Sequence, residues 1–422
     1  MQRTVLAIIA VFIVLTVSLF SVSCTKNDKK DVTIRFARWA RVEDAQRFQV
    51  LIHQFEKENP EISVKTEYLP WDAYWEKLSI VLQTGDAPDV FMMSSAMSSQ
   101  FVSTAMPIQR LDQMDHHKLF QNYSPTILTP ITKYGARYGM PIGLGLRVLF
   151  YNRDILKSAG IPYPSDTQSM IWEDFARMLE TVQKKNAFVY PLRMNSEDLL
   201  ECLLNAYQTP LFSDTVTQDT SSLVRPRALR AFEMMNLLYR KGLVPPSGSA
   251  VETGESGIVG DALVSPNAAF MYTGMWALPL LQKARINYGA IPLPQATTRA
   301  SAAEINYLMM AADGAHKDAA WKMIEWFATK GQLLIGTTGD YRAYTGYDPM
   351  TAARSSQSGL YRTLAEEKAF IVPSLRISNR NVQEEYTRCA EGIASGILEP
   401  EEAVSSLTSV LASEIGKGVV SE

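Results

Sequence analysis

Between Val32 and Met93 the apolar residues recur first at every second position, then at every third or fourth, and the switch happens twice. That pattern restricts the fold class more than any other feature of the chain. Val32, Ile34 and Phe36 alternate with polar residues, as in a half-buried strand ending near Trp39. Ala45, Phe48, Leu51, Ile52 and Phe55 follow at helical spacing, and Asn59-Pro60 stops that helix. Ile62, Val64 and Tyr68 return to alternation. A second helix is expected to open with Asp72 as N-cap, to line up Trp75, Leu78 and Leu82, and to end at Gly85. Asp89 to Met93 reads as a third, mostly apolar strand. Strand, helix, strand, helix, strand builds βαβ units, and so an α/β fold with a parallel sheet covered by helices. Ligands of open parallel sheets gather beyond the carboxyl ends of the strands. Trp39, Pro70-Trp71 and Ser94-Ser95 follow those ends and share one rim.

A second unit begins near Tyr138. RVLFYNRDILKSAGI reads as a strand through Tyr151, a short helix from Arg153 and a stop at Gly160. Glu173 to Lys184 and Arg227 to Lys241 are amphipathic, the latter ending at Gly242. Residues 246–261 are rich in Gly and Ser and read as a surface loop. AAFMYTGMW is a strand turning at Gly274, and INYGAIPLP another. Lys317 to Lys330, Asn381 to Ser395 and Pro400 to Ile415 are closing helices.

The amino terminus speaks to compartment. Arg3 precedes an apolar run from Val5 to Phe20, then Ser21, Ser23 and Cys24. This is the order of a signal peptide, residues 1–23. A cysteine at the first mature position resembles the lipid-acceptor box of bacterial lipoproteins, with residues 24–31 as lipidated Cys and tether. An uncleaved anchor is the other reading, but the apolar stretch is short for a full span. The mature chain is then exported and lipid-anchored to a bacterial membrane, on its periplasmic or cell-surface face.

Composition excludes more than it identifies. With 41 basic and 44 acidic residues, the net charge of −3 gives no electrostatic footprint for nucleic acid. Four histidines are few for a metal carrier, and no metal or cofactor is expected. Cys202 and Cys389 remain beside Cys24; an exported protein either pairs them or buries them as free thiols. Gly-x-Ser-x-Gly, His-Glu-x-x-His and Walker signatures are all missing from the sequence.

The order of segments resembles the extracellular solute-binding proteins of ABC importers, family 1, which includes the maltose-binding proteins. FEKENPEISVKTEYLPWDAYWEKL, GDAPDVFMMSS, YGMPIGLGLRVLFYNRDILKSAGI followed by WEDF, AAFMYTGMWALP, YGAIPLP and KDAAWKMIEWFATKGQ carry the resemblance from Val32 to Ile415. It implies a two-lobe periplasmic-binding-protein fold (type II), each lobe a mostly parallel sheet flanked by helices, with a ligand cleft at the hinge. Lobe one would take residues 32–142 and 305–365, lobe two 143–304 and 366–422. Three departures stand out. Ile171 replaces the Thr usual before WEDF, and Gly145 stands where a maltose-binding protein carries an acid. The family's Thr-Gly-Gly-x-Pro loop appears as TTGDYRAYTG. Both changes near the cleft argue against maltose itself.

Sugar rings have apolar faces and hydroxyl edges, so their sites need aromatic planes and planar polar groups. Trp276, beside Gly274 after an apolar strand, resembles the family's stacking tryptophan; a core tryptophan is its other reading. Trp39 ends the first strand, with Arg41 and Glu43 beside it, and Glu43 also suits a helix N-terminus. Trp71 reaches the rim while Trp75 packs inside. Ser94 and Ser95 either donate to hydroxyls or end a strand and cap a helix. Gly145 and Arg147 lie in the crossover, Asn195 and Asp198 just past an apolar strand, and Tyr341 and Arg342 in the altered loop. Arg147 and Arg342 keep acidic and phosphorylated sugars open as ligands. The expected function is capture of a sugar or related solute and its delivery to a membrane permease, without enzymatic turnover and as a monomer. The alternatives are an exported lipoprotein glycoside hydrolase using paired carboxylates and a surface adhesin.

Overall fold

The computed structural model describes residues 32–40, 42–102, 106–213, 216–245, 264–331, 371–373 and 377–415. The leader, Cys24 with its tether, and the 246–261 stretch lie outside those residues.

The first βαβαβ unit forms as its spacing requires. Strand β1 (Val32–Trp39) pairs in parallel with β2 (Ile62–Leu69) on one side and β3 (Val90–Ser94) on the other. The helix Val42–Glu58 buries Phe48, Leu51, Ile52 and Phe55, with Phe48 stacked on both Phe36 and Phe327. The second helix starts at Trp71, one residue before the expected cap position. Pro70 occupies the N-cap and makes no side-chain cap, so Asp72 falls in the first turn, where its charge suits the positive helix end. Gly85 closes the helix at φ 76°, its N–H bonded to the Val81 carbonyl.

After a small hairpin of β4 (Thr132–Lys133) and β5 (Ala136–Arg137) comes the longest strand, β6 (Gly139–Asn152). The remaining strands are β7 (Tyr190–Arg193), β8 (Ala268–Gly274), β9 (Tyr288–Ile291), β10 (Ser301–Met310) and β11 (Ile371–Pro373). The sheet runs β2-β1-β3-β10-β6-β8-β7, with β11 beside β10 and β9 beside β6. Strand β10 has no counterpart in the expectations from spacing. Its sequence SAAEINYLMM is buried at nearly every position and so shows no alternation.

The outer pairs β1–β2, β1–β3, β7–β8 and β10–β11 are parallel. The two long strands run against them. β10 is antiparallel to both β3 and β6, and β6 is antiparallel to β8 and β9. β6 changes partner midway. Residues through Leu146 pair with β10, and from Arg147 onward with β8. All fourteen of its residues are buried.

Two apolar cores lie either side of that change. One gathers β1 to β3, the first half of β6, the second half of β10 and the helix Lys317–Trp326. The other gathers the helices Trp172–Lys185, Ser196–Ala206, Arg225–Arg240, Arg380–Ala394 and Pro400–Glu414. Alternation along β6 sends Leu149 and Tyr151 to the second core, and Val148 and Phe150 to the first. Helix Lys317–Trp326 continues through a wider turn to Gly331, close to the expected end.

Cys202 and Cys389 are both buried free thiols. Cys202 donates to the Tyr272 hydroxyl at 3.4 Å, and Cys389 to Glu385 at 3.3 Å. Burial pushes each thiol up to about 12.

Candidate ligand site

The carboxyl ends of β1, β2 and β3 do share one rim, and Trp39 and Trp71 meet there. Trp39 is paired in register with Leu69, two residues before Trp71. Its ring lies 5.0 Å from Trp71, 5.4 Å from Tyr74 and 5.2 Å from Trp75. Trp75 is buried, as expected, and Trp39 and Trp71 are half-buried. The contacts to Trp71 and Tyr74 are edge-to-face, a geometry that favours fixed ring orientations. Tyr74 anchors the group by donating to the Met92 carbonyl at 2.5 Å. Arg41 lies outside the described residues, as do the Glu43 side chain, Tyr341 and Arg342.

Ser94 and Ser95 are buried, and their hydroxyls serve the backbone. Ser94 accepts from the Ala96 N–H at 3.2 Å. Ser95 accepts from Ile305 at 3.0 Å and donates to the Ala303 carbonyl at 3.4 Å. Ser94 thus caps the helix start, as one of its two readings had it, and Ser95 makes a bridge that neither reading included. It ties the start of helix Ser95–Val102 to β10 on both sides of Glu304.

A second assembly forms where β6, β8 and β10 run side by side. Gly145 stands opposite Glu304, and Arg147 opposite Gly274. Past Gly274 the chain turns through Met275–Ala277, and the indole of Trp276 folds back over both glycines. A Cβ on Gly274 would come within 2.1 Å of the ring, and one on Gly145 within 2.9 Å. Neither distance is compatible with a side chain, so this placement of the indole requires glycine at both positions. Here glycine serves close approach, with no need for unusual backbone angles.

Beside the ring, Arg147 is 8% exposed and lies 2.6 Å from Asp198 Oδ2 and 2.9 Å from Glu304 Oε1. Its guanidinium carbon is 5.6 Å from the Trp276 ring centroid and 6.0 Å from that of Tyr272. Burial alone would lower its pKa, but the carboxylates of Asp198 and Glu304 outweigh it and hold the group charged, well above its ordinary value. Asp198 is held in turn. Asn195 caps helix Ser196–Ala206 by accepting from the Asp198 N–H at 2.7 Å, and its amide donates to Asp198 Oδ2 at 2.8 Å. Of the residues singled out in the sequence, Gly145, Arg147, Asn195, Asp198, Gly274 and Trp276 are therefore assembled in one place. Glu304 was missed, although a lone acid inside the apolar run AAEINYLMM was a usable signal. Three strand steps separate β1 from β6, about 14 Å at ordinary inter-strand spacing.

Comparison with known proteins gives a consistent picture. The family model for bacterial extracellular solute-binding proteins matches residues 39–333. A Brucella abortus (strain 2308) protein named as a binding protein is 22% identical over 289 residues, covering 67% of this chain and 68% of its own length. The maltotriose-binding protein of Pyrococcus abyssi is 20% identical over 297 residues, 69% of this chain and 61% of that protein. Among solved structures, an ABC substrate-binding protein of Listeria monocytogenes in complex with cycloalternan superposes with a TM-score of 0.76 at 17% identity. It covers 92% of this chain and 100% of its own. At that identity the likeness is one of fold: a two-lobe α/β periplasmic-binding-protein architecture, as the resemblance implied.

Proposed function

This chain belongs to the bacterial extracellular solute-binding protein family, and from that premise we propose that it is the substrate-binding component of an ABC importer. It takes up a carbohydrate between two lobes and passes it to a membrane permease. The family is extracellular, so the chain is exported. The observation that carries the ligand class is the Trp276 indole laid over Gly145 and Gly274, beside a fixed frame of Arg147, Asp198 and Glu304. An aromatic plane next to rigid polar groups complements a sugar ring face and its hydroxyl edge.

In this reading lobe one holds 32–142 and 305–365 and lobe two 143–304 and 366–422. The change of partner along β6 supports a boundary in that region. Trp39 and Trp71 approach the ligand from lobe one and Trp276 from lobe two. Asn195 positions Asp198, and Ser94 and Ser95 hold the frame. Arg41, Glu43, Tyr341 and Arg342 complete the set by resemblance. The protein works as a monomer without turnover, anchored by lipid on Cys24 after cleavage of residues 1–23.

A native mass spectrum of the purified full chain tests the central claim: a carbohydrate adduct is expected to co-purify or to form on incubation with an oligosaccharide panel. A non-carbohydrate solute bound in its place would refute it. Release of labelled reducing sugar from a glycoside panel would instead support the hydrolase. For the anchor, Cys24→Ser is expected to abolish fatty-acid labelling, and retained label would refute lipidation there.

A further inference from the structure

We infer that Glu304 is the ligand-contacting carboxylate of this site, and that it makes the site select uncharged carbohydrates over uronic-acid or phosphorylated ones. The inference rests on the binding-protein reading above and adds a residue and a ligand class to it.

Position comes first. Glu304 is the direct antiparallel partner of Gly145, and directly opposed residues project from the same sheet face. The point where a Gly145 Cβ would lie is 3.4 Å from the Glu304 Cβ and 2.9 Å from the Trp276 ring. The acid and the indole therefore flank a single spot. Residue 145 has no side chain to offer there, and Glu304 supplies one from the neighbouring strand.

Occupancy comes second. Asp198 spends the same oxygen on Arg147 and on Asn195, and its side chain is 15% exposed. Glu304 gives Oε1 to Arg147, while its Oε2 accepts no hydrogen bond among the described residues and the side chain is 21% exposed. A carboxylate oxygen only accepts, so its complement is a hydroxyl donor.

Charge comes third. One guanidinium stands between two carboxylates, leaving an excess negative charge beside the ring. Arg147 is thus already neutralised and largely sealed. This removes the expectation that it receives an acidic sugar; such a ligand would meet Glu304 as a like charge.

The test uses the purified full chain against neutral oligosaccharides such as maltotriose, arabinotriose and galactotriose, together with trigalacturonate as the charged counterpart. Wild type is expected to bind a neutral member and to bind trigalacturonate at least tenfold more weakly. Glu304→Gln keeps the volume and the contact to Arg147 while losing the charge. It is expected to weaken neutral binding about 10- to 100-fold, the usual scale for a hydrogen bond to a charged group, and to narrow the gap to trigalacturonate. If no oligosaccharide binds wild type, the binding-protein reading for carbohydrate falls, and this inference with it. If oligosaccharide binds and Trp276→Ala weakens it while Glu304→Gln changes neither affinity nor the ratio, the role of Glu304 alone is overturned. Preference of wild type for trigalacturonate overturns it too. Should Glu304→Gln fail to fold, Glu304→Asp keeps the charge but shortens its reach, and unchanged affinity in that variant decides against the proposal.

Discussion

Trp39 ends a strand and Trp276 follows the end of one, yet they are held by opposite means. Three aromatic rings within 5.4 Å surround Trp39. Trp276 lies on two glycines and against a buried arginine clamped by two acids. A ring wedged among rings contributes its contacts to the fold, and removing it leaves a hole. A ring on a glycine floor contributes less to packing and depends on that floor for its pose. The same residue type at comparable positions is thus expected to report on stability as well as binding in one region, and on binding alone in the other.

The largest effect expected from breaking this contrast is at the charged frame. Arg147→Ala leaves Asp198 and Glu304 facing each other without their cation, and is expected to cost about 3–5 kcal/mol of stability by urea unfolding. A loss below about 1 kcal/mol, the scale of exposed pairs, would mean that the frame behaves as a surface feature. Next, Trp276→Ala is expected to cost about 2–4 kcal/mol of carbohydrate affinity by calorimetry, with little change in the apo melting temperature. Trp39→Ala is expected to destabilise the apo protein by about 2–3 kcal/mol, through lost packing and ring contacts. If Trp276→Ala lowers the apo melting temperature more than Trp39→Ala does, the contrast is wrong.

The smallest effect is a control on burial. His117 forms an ion pair with Glu325 while 72% exposed. The hydrogen bond to that carboxylate raises its pKa above the ordinary histidine value. The stabilisation is therefore full below the unfolded pKa and lost as pH rises through the raised folded value. A melting-temperature difference between wild type and His117→Gln is expected to be slight at pH 5.5 and gone by pH 9. A difference that grows with pH would contradict the assignment.

What was legible in the sequence was local. The spacing of apolar residues locates β1 to β3 and both intervening helices within a residue or two. Gly85, Gly160 and Gly242 stop their elements with positive φ as expected. The departure at Ile171 was readable too, since helix Trp172–Lys185 has no side-chain cap. The illegible part was non-local. Arg147 could be named, but its acids are Asp198, on a helix, and Glu304, on a strand without alternation. Burial of β10 on both faces erased the period that would have revealed it. With β10 unseen, nothing placed Glu304 opposite Gly145. Ser94 and Ser95 were ambiguous for the same reason: the groups that Ser95 bonds lie on that strand.

The pairing of β10 has a consequence for how the chain comes to be folded. Ser95 and Ile305 are hydrogen-bonded although 210 residues apart, and β3 finds its inner neighbour only in β10. The early βαβαβ unit therefore keeps an open sheet edge until most of the polypeptide has been made. Contacts of such long range form slowly because loop closure precedes any return from pairing.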